Sequence, residues 1–208
     1  MTTPRRRRFG FLMYHKYEEL DLIGPWEMAT MWRDYANGPE CVTISETGGA
    51  VLCAKGLKSA ADVSFADCPP LDYLLVPGGF AAFDEMKNPK LVGWLKDQAT
   101  RCEHVLSVCT GSFILQAAGL LEGRQATTHW KGMDALAKLP GVTAVRQRWV
   151  RDGNVWSSAG VSAGMDLTLG FIAAIDGENA ARSVQHNAEY YPDGRLYGST
   201  GDDTAASP

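Results

Sequence analysis

Several common sources of chemistry are missing from this sequence. It has no CxxC, no HExxH and no Cys/His cluster, and its four histidines (His15, His104, His129, His186) are scattered. This pattern argues against a zinc site. There is no dinucleotide-binding glycine fingerprint, and no phosphate-binding loop with its lysine. No apolar run approaches the length of a membrane span. Charge of one sign does not dominate: charged residues make up 21% of the chain and the formal net charge is -4. That balance argues against nucleic acid as a constitutive partner. The one basic run, Arg5 to Arg8, precedes the apolar stretch Phe9 to Tyr14. His15, Lys16, Glu18 and Glu19 interrupt what would otherwise be an export-signal core. The five cysteines, at 41, 53, 68, 102 and 109, are odd in number and irregularly spaced. This points to a reducing, cytoplasmic setting rather than a disulfide framework.

The residues that are present read as strands alternating with helices. Phe9 to Tyr14 is a blunt apolar strand, and a helix follows that is expected to start near Gly24 and run to about Tyr35. Short strands are expected at Cys41 to Ser45, Val51 to Ala54, Leu57 to Ala60 and Tyr73 to Val76. Helices are expected over Asn88 to Ala99, Lys131 to Leu139, Met165 to Ile175 and Gly177 to about Tyr190. Arg148 to Ser158 reads as a hairpin turning at Asp152-Gly153. This alternation predicts a single α/β domain over residues 1–208, with a mostly parallel sheet covered on both faces. The basic leader 1–8 and the polar tail 192–208 are expected to be loose.

In such sheets the ligand crevice lies beyond the carboxyl ends of the strands. Three turns converge there: Tyr14 to Asp21, Pro77-Gly78-Gly79, and Cys109-Thr110-Gly111. Cys109 stands where an apolar strand gives way to a helix, so its sulfur would project into the crevice near helical N–H groups that favour a thiolate. By local pattern alone it is equally an ordinary buried cysteine. Cys41, Cys53, Cys68 and Cys102 read as structural thiols. Spacing alone makes Asp21 a helix cap.

The sequence resembles the DJ-1/PfpI superfamily, and within it the isonitrile hydratase branch. The resemblance rests on Leu20-Asp21-Leu22-Ile23-Gly24-Pro25, Val76-Pro77-Gly78-Gly79, Ser107-Val108-Cys109-Thr110-Gly111-Ser112, Ala126-Thr127-Thr128-His129-Trp130 and Ala163-Gly164-Met165-Asp166. It extends over about residues 9 to 190. It implies a flavodoxin-like three-layer sandwich, a nucleophilic Cys109, an acidic partner at Asp21 where other branches carry glutamate, and a homodimer. Some branches place a histidine after the cysteine. Thr110 stands there instead and leaves no adjacent Cys-His couple. His129 is read as a structural residue away from the crevice.

The resemblance implies hydration of an isonitrile to an N-substituted formamide through a Cys109 adduct. Asp21 would handle protons, and Thr110 or backbone N–H groups would orient the intermediate. Gly78, Gly79 and Val161 are the expected substrate or oxyanion contacts, and Trp26, Phe80, Phe83 and Val161 the expected apolar walls. No metal or organic cofactor is called for. Two other readings stay open. One is a ligand- or redox-sensing protein without turnover, since the same segments also resemble the sensing domain of AraC-type regulators. Those regulators carry a C-terminal helix-turn-helix region for which this sequence is expected to have no room. The other is a different Cys-dependent enzyme of the superfamily, glyoxalase-like or deglycase-like.

Overall fold

The first strand, β1 (Arg8–Leu12), feeds helix α1 (Glu19–Tyr35), which returns the chain to β2 (Glu40–Ser45). A small ribbon of β3 (Gly49–Leu52) and β4 (Lys58–Ala61) follows, then the edge strand β5 (Val63–Ser64) and the buried β6 (Tyr73–Val76). Next come α2 (Ala82–Glu85), α3 (Pro89–Ala99), β7 (His104–Val108) and α4 (Gly111–Ala117). The strand β8 (Arg124–Ala126), α5 (Met133–Leu136) and β9 (Val142–Ala144) lead to the hairpin β10 (Trp149–Asp152) and β11 (Val155–Ser158). Helices α6 (Ala163–Asp176) and α7 (Glu178–Asn187) complete the fold. This computed structural model describes residues 5–192.

Seven strands form one sheet in the order β10-β11-β7-β6-β1-β2-β5. All neighbours run parallel except the β10–β11 hairpin. Helices α1, α6 and α7 pack together in one layer, and α2, α3 and α4 in the other, giving the three-layer α/β sandwich. Buried parallel strands need apolar residues on both faces, and β6 is buried along its whole length. Phe9, Tyr73, His104 and Trp156, from four strands, set their rings 5.0–5.8 Å from Phe171 of α6. Three of the four contacts are edge-to-face, the geometry the ring quadrupoles favour. The chain leaves β1 toward β2 and later returns past β1 to β6. The reversal of strand order therefore lies between β1 and β6, where a crevice opens in folds of this kind.

Three expectations are corrected. Helix α1 begins at Glu19 rather than near Gly24, which puts Asp21 in its first turn and Pro25 inside the helix. Proline removes one helical N–H, here the one that would have met the carbonyl of Asp21. The arginine leader does not hang free from Arg5 onward. Arg5 pairs with Asp72 at 2.7 Å, Arg6 with Glu40 at 2.8 Å, and Arg7 with Asp176 at 2.5 Å. The Arg8 backbone N–H donates to Asp72 at 2.6 Å. Residues 1–4 and 193–208 lie outside the described residues. The short elements α2, β5 and β9 carry too little periodicity to be read from sequence. The predicted Lys131–Leu139 helix is a 3-10 turn, Trp130–Gly132, joined to the single turn of α5.

Candidate active site

Cys109 occupies the turn between β7 and α4 with φ 56°, a left-handed conformation that is uncommon for a residue with a side chain. Its carbonyl accepts the hydroxyl protons of Thr128 at 2.8 Å and Ser112 at 3.2 Å, and its N–H reaches the carbonyls of Ser158 and Ala159, each at 3.2 Å. The elbow is thus fixed from β11, from α4 and from the loop after β8. Gly111 lets it close, since a Cβ there would come within 2.8 Å of the Pro77 carbonyl.

Asp21 reaches the same point from α1 and is fully buried. It does not cap its helix. Its Oδ2 accepts the Gly78 N–H at 3.0 Å and its Oδ1 accepts the Val161 N–H at 3.1 Å, and the carboxyl is close enough to the Cys109 thiol for each to shift the other's titration. The capping role favoured by spacing is therefore overturned. The amides of Gly78 and Val161, expected to face substrate, instead hold the acid. The Gly79 N–H donates to Thr110 Oγ1 at 2.9 Å, and that hydroxyl donates back to the Gly79 carbonyl at 2.8 Å. Thr110 Oγ1 accepts one proton and gives its own, so the hydroxyl clamps two turns together.

The Pro77-Gly78-Gly79 turn needs its glycines for two different reasons. A Cβ on Gly78 would lie 2.5 Å from the Thr110 nitrogen and 2.9 Å from Asp21 Oδ2, whereas Gly79 has φ +122°. A side chain would be excluded by contact at the first and by backbone conformation at the second. Val161 has φ 54°, an outlier for a β-branched residue; this conformation accompanies an N–H that meets Asp21. Tyr14, read from the sequence as the end of a strand and the start of a crevice turn but given no role of its own, is directly involved. Its buried hydroxyl lies 2.9 Å from the Pro77 carbonyl and 2.8 Å from that of Gly78. It braces the turn that holds the acid.

Burial dominates the electrostatics. It lifts the Asp21 carboxyl to about 7, against the opposing pull of the Gly78 N–H, and the nearby Glu18 charge raises it further. Burial, and then Asp21, also push the Cys109 thiol up to about 12, over the opposing effect of Thr110. A thiolate favoured by the helix N-terminus was expected. The seven-residue α4 offers too little to outweigh desolvation. Two neighbouring groups in one low-dielectric site share a single negative charge near neutrality. A nucleophilic sulfur requires the shared proton to sit on Asp21.

Cys109, 6% exposed, forms the floor of a cavity of about 340 Å³. Gly79, Phe80, Phe83, Thr110 and Val161 line it, and so do Glu18, His129 and Lys131. Phe80 is 90% exposed at the mouth. Trp26, an expected wall, is elsewhere: its ring packs edge-on against Phe11 at 5.1 Å, and it lines a groove along α1. His129 is corrected in the other direction. It is partly exposed and lines the cysteine cavity, with Nδ1 accepting the Lys131 N–H at 3.3 Å. Gly160 makes room for its ring, since any Cβ there would overlap the imidazole. Burial, and then the Lys131 charge, lower its pKa, so the imidazole is neutral near pH 7. Among the described residues no His/Cys/Asp/Glu group has metal-holding geometry, and no helix is long and apolar enough to cross a membrane.

The arrangement matches known proteins along most of the chain. The protein is 36% identical to isonitrile hydratase of Pseudomonas putida over 185 residues, 89% of this chain and 79% of that one. It is 34% identical to the HTH-type transcriptional regulator CdhR of Pseudomonas aeruginosa over 142 residues, 68% of this chain but 42% of the regulator. The crystal structure of a ThiJ/PfpI family protein from Pseudomonas syringae aligns with a TM-score of 0.86 and 32% identity, covering 97% of this chain and 82% of that one. The DJ-1/PfpI family profile matches residues 7–174, from the first strand through the elbow and into α6. With its cysteine elbow and facing acid, this chain belongs to the DJ-1/PfpI family.

Proposed function

We propose that this protein is an isonitrile hydratase, adding water to an isonitrile to give an N-substituted formamide. The observation that carries the reading is the buried Asp21 carboxyl. Two backbone N–H groups hold it against the Cys109 sulfur, and Thr110 follows the cysteine where other branches place a histidine. The 36% identity to isonitrile hydratase over most of both chains supports the same reading.

An isonitrile carbon must gain both a nucleophile and a proton, and it carries no leaving group. Cys109 sulfur attacks that carbon and Asp21 delivers its proton to the same carbon, giving a thioimidate. Asp21, now a carboxylate, takes a proton from water as the hydroxyl adds to the carbon, and passes it to nitrogen. It then accepts the hydroxyl proton as the C–S bond breaks. The formamide leaves, and the proton is again shared between the Cys109 sulfur and the Asp21 carboxyl, attack drawing on the form in which Asp21 holds it. Covalent attack divides one difficult addition into easier steps, and a carboxyl at about 7 suits alternate acid and base duty near neutral pH. Thr110 positions the elbow, and Phe80, Phe83 and Val161 face the substituent. A volume of about 340 Å³ sits at the lower end of ligand pockets, roughly 300–1,000 Å³, and suits a single ring or a short chain. The proposal includes a cytoplasmic homodimer.

The likeness to part of the HTH-type transcriptional regulator CdhR favours a second reading, ligand sensing at the same cysteine without turnover. Purified protein assayed against alkyl and aryl isonitriles and α-oxoaldehydes separates the readings. Catalytic formamide release supports the hydratase. Consumption of oxoaldehyde alone would replace it with a glyoxalase-like enzyme. Stoichiometric cysteine modification without turnover would support sensing.

A further inference from the structure

The cavity over Cys109 is not apolar all the way to its mouth. Glu18, His129 and Lys131 line it together with Phe80, Phe83 and Val161. Their charges do not cancel. The Glu18 carboxylate already forms an ion pair with Lys55 from the ribbon, and what remains of its field acts inward on Asp21 and on His129. His129 is neutral near pH 7, its pKa lowered by burial and by Lys131 itself. Lys131 has no carboxylate partner among the described residues, and it is exposed at the rim. Its ammonium lies 5.2 Å from the centre of the exposed Trp130 ring, which restrains it by a cation–π contact. The 3-10 turn Trp130–Gly132 that carries it is tied to His129 by the Lys131 N–H.

Resting on the isonitrile hydratase reading, we propose that Lys131 determines specificity. The preferred substrate is then an isonitrile whose substituent ends in a carboxylate. Such a molecule would place its isocyano carbon at Cys109 and its hydrocarbon portion along Phe83 and Val161. Its anion would meet Lys131 at the mouth. A neutral isonitrile fills the same apolar stretch and leaves the one uncompensated cation of the described lining without a counter-charge. Lysine acts here as a point charge, not as a bidentate fork. It therefore tolerates different chain lengths while selecting for charge. At an exposed rim the gain is modest, about three- to ten-fold, and added salt screens it.

The test compares kcat/KM for 4-isocyanobenzoate and its methyl ester, with wild type, Lys131→Ala and Lys131→Glu, at low salt and in 0.5 M sodium chloride (about three times physiological ionic strength). The expected wild-type ratio favours the carboxylate through KM, shrinks in salt, falls toward one in K131A and inverts in K131E. Using a ratio of two substrates removes losses from partial misfolding. Hydration of both compounds with a ratio unmoved by K131A and K131E would overturn the role of Lys131 and leave the hydratase standing. Hydration of neither would overturn the hydratase reading and this inference with it.

Discussion

Asp21→Asn changes one atom at the centre of the site, and its effects on stability and on rate can be worked out separately. The two carboxyl oxygens accept N–H groups from Gly78 and Val161 at 3.0 and 3.1 Å. An asparagine oxygen can accept only one of these. Its NH₂ turns toward the other donor, leaving a buried N–H without a partner, at a cost of about 1–3 kcal/mol. The pH dependence runs the other way. The carboxyl is raised from 3.8 to about 7 on folding, so the folded chain holds that proton more tightly than the unfolded chain. Wild-type stability from this group is therefore highest below about pH 4 and falls as pH rises toward 7. The whole loss approaches about 4 kcal/mol on the scale of 1.36 kcal/mol per pKa unit. Asparagine has no such loss. Urea unfolding of both proteins between pH 4.5 and 8 should find the variant less stable at the acid end, with the gap closing or reversing at the alkaline end. Formamide release should fall by about 10²-fold or more, the usual scale for a lost acid–base group. Parallel stability profiles across that range would refute a buried carboxyl of raised pKa, and wild-type turnover in the variant would refute its role in proton transfer.

Gly78→Ala should abolish turnover, because its Cβ would press on the Thr110 nitrogen and on Asp21 Oδ2; circular dichroism would show whether the fold survives beside the activity measurement. Thr110→Val removes both bonds to Gly79 at nearly constant shape. It should lower kcat, with Thr110→Ser restoring much of it. Arg7→Ala loses the pair with Asp176 and the bond to Tyr73, and urea unfolding should show a loss of about 1–2 kcal/mol. An unchanged midpoint would return Arg7 to the role of a solvated leader.

The layered fold was legible because its strands are short apolar runs and its turns are marked by glycine and proline. Tyr73–Val76 and the 152–153 hairpin needed nothing more. The nucleophile elbow was legible for the same reason, as a change of period at Cys109. What could not be read is what depends on distant residues meeting. Asp21 looked like a cap because a cap is decided by neighbours in sequence, whereas its real partners are Gly78 and Val161. His129, twenty residues beyond the cysteine, entered the cavity only through the packing of its loop over Gly160. Tyr14 gave no signal, since a tyrosine ending an apolar strand is ordinary until its hydroxyl is seen on the Pro77 and Gly78 carbonyls. The arginine run looked like a leader because its acidic partners, Asp72 and Asp176, are brought to it by the sheet and by α6.

The central claim, that Cys109 sulfur forms the bond to the isonitrile carbon, is tested most directly by assaying Cys109→Ala for formamide release beside wild type. The variant's fold is verified by its unfolding midpoint. The account predicts catalytic release by wild type and none above the buffer rate by the folded variant. Release by folded Cys109→Ala within about ten-fold of wild type, a difference of about 1.4 kcal/mol in barrier, would contradict it.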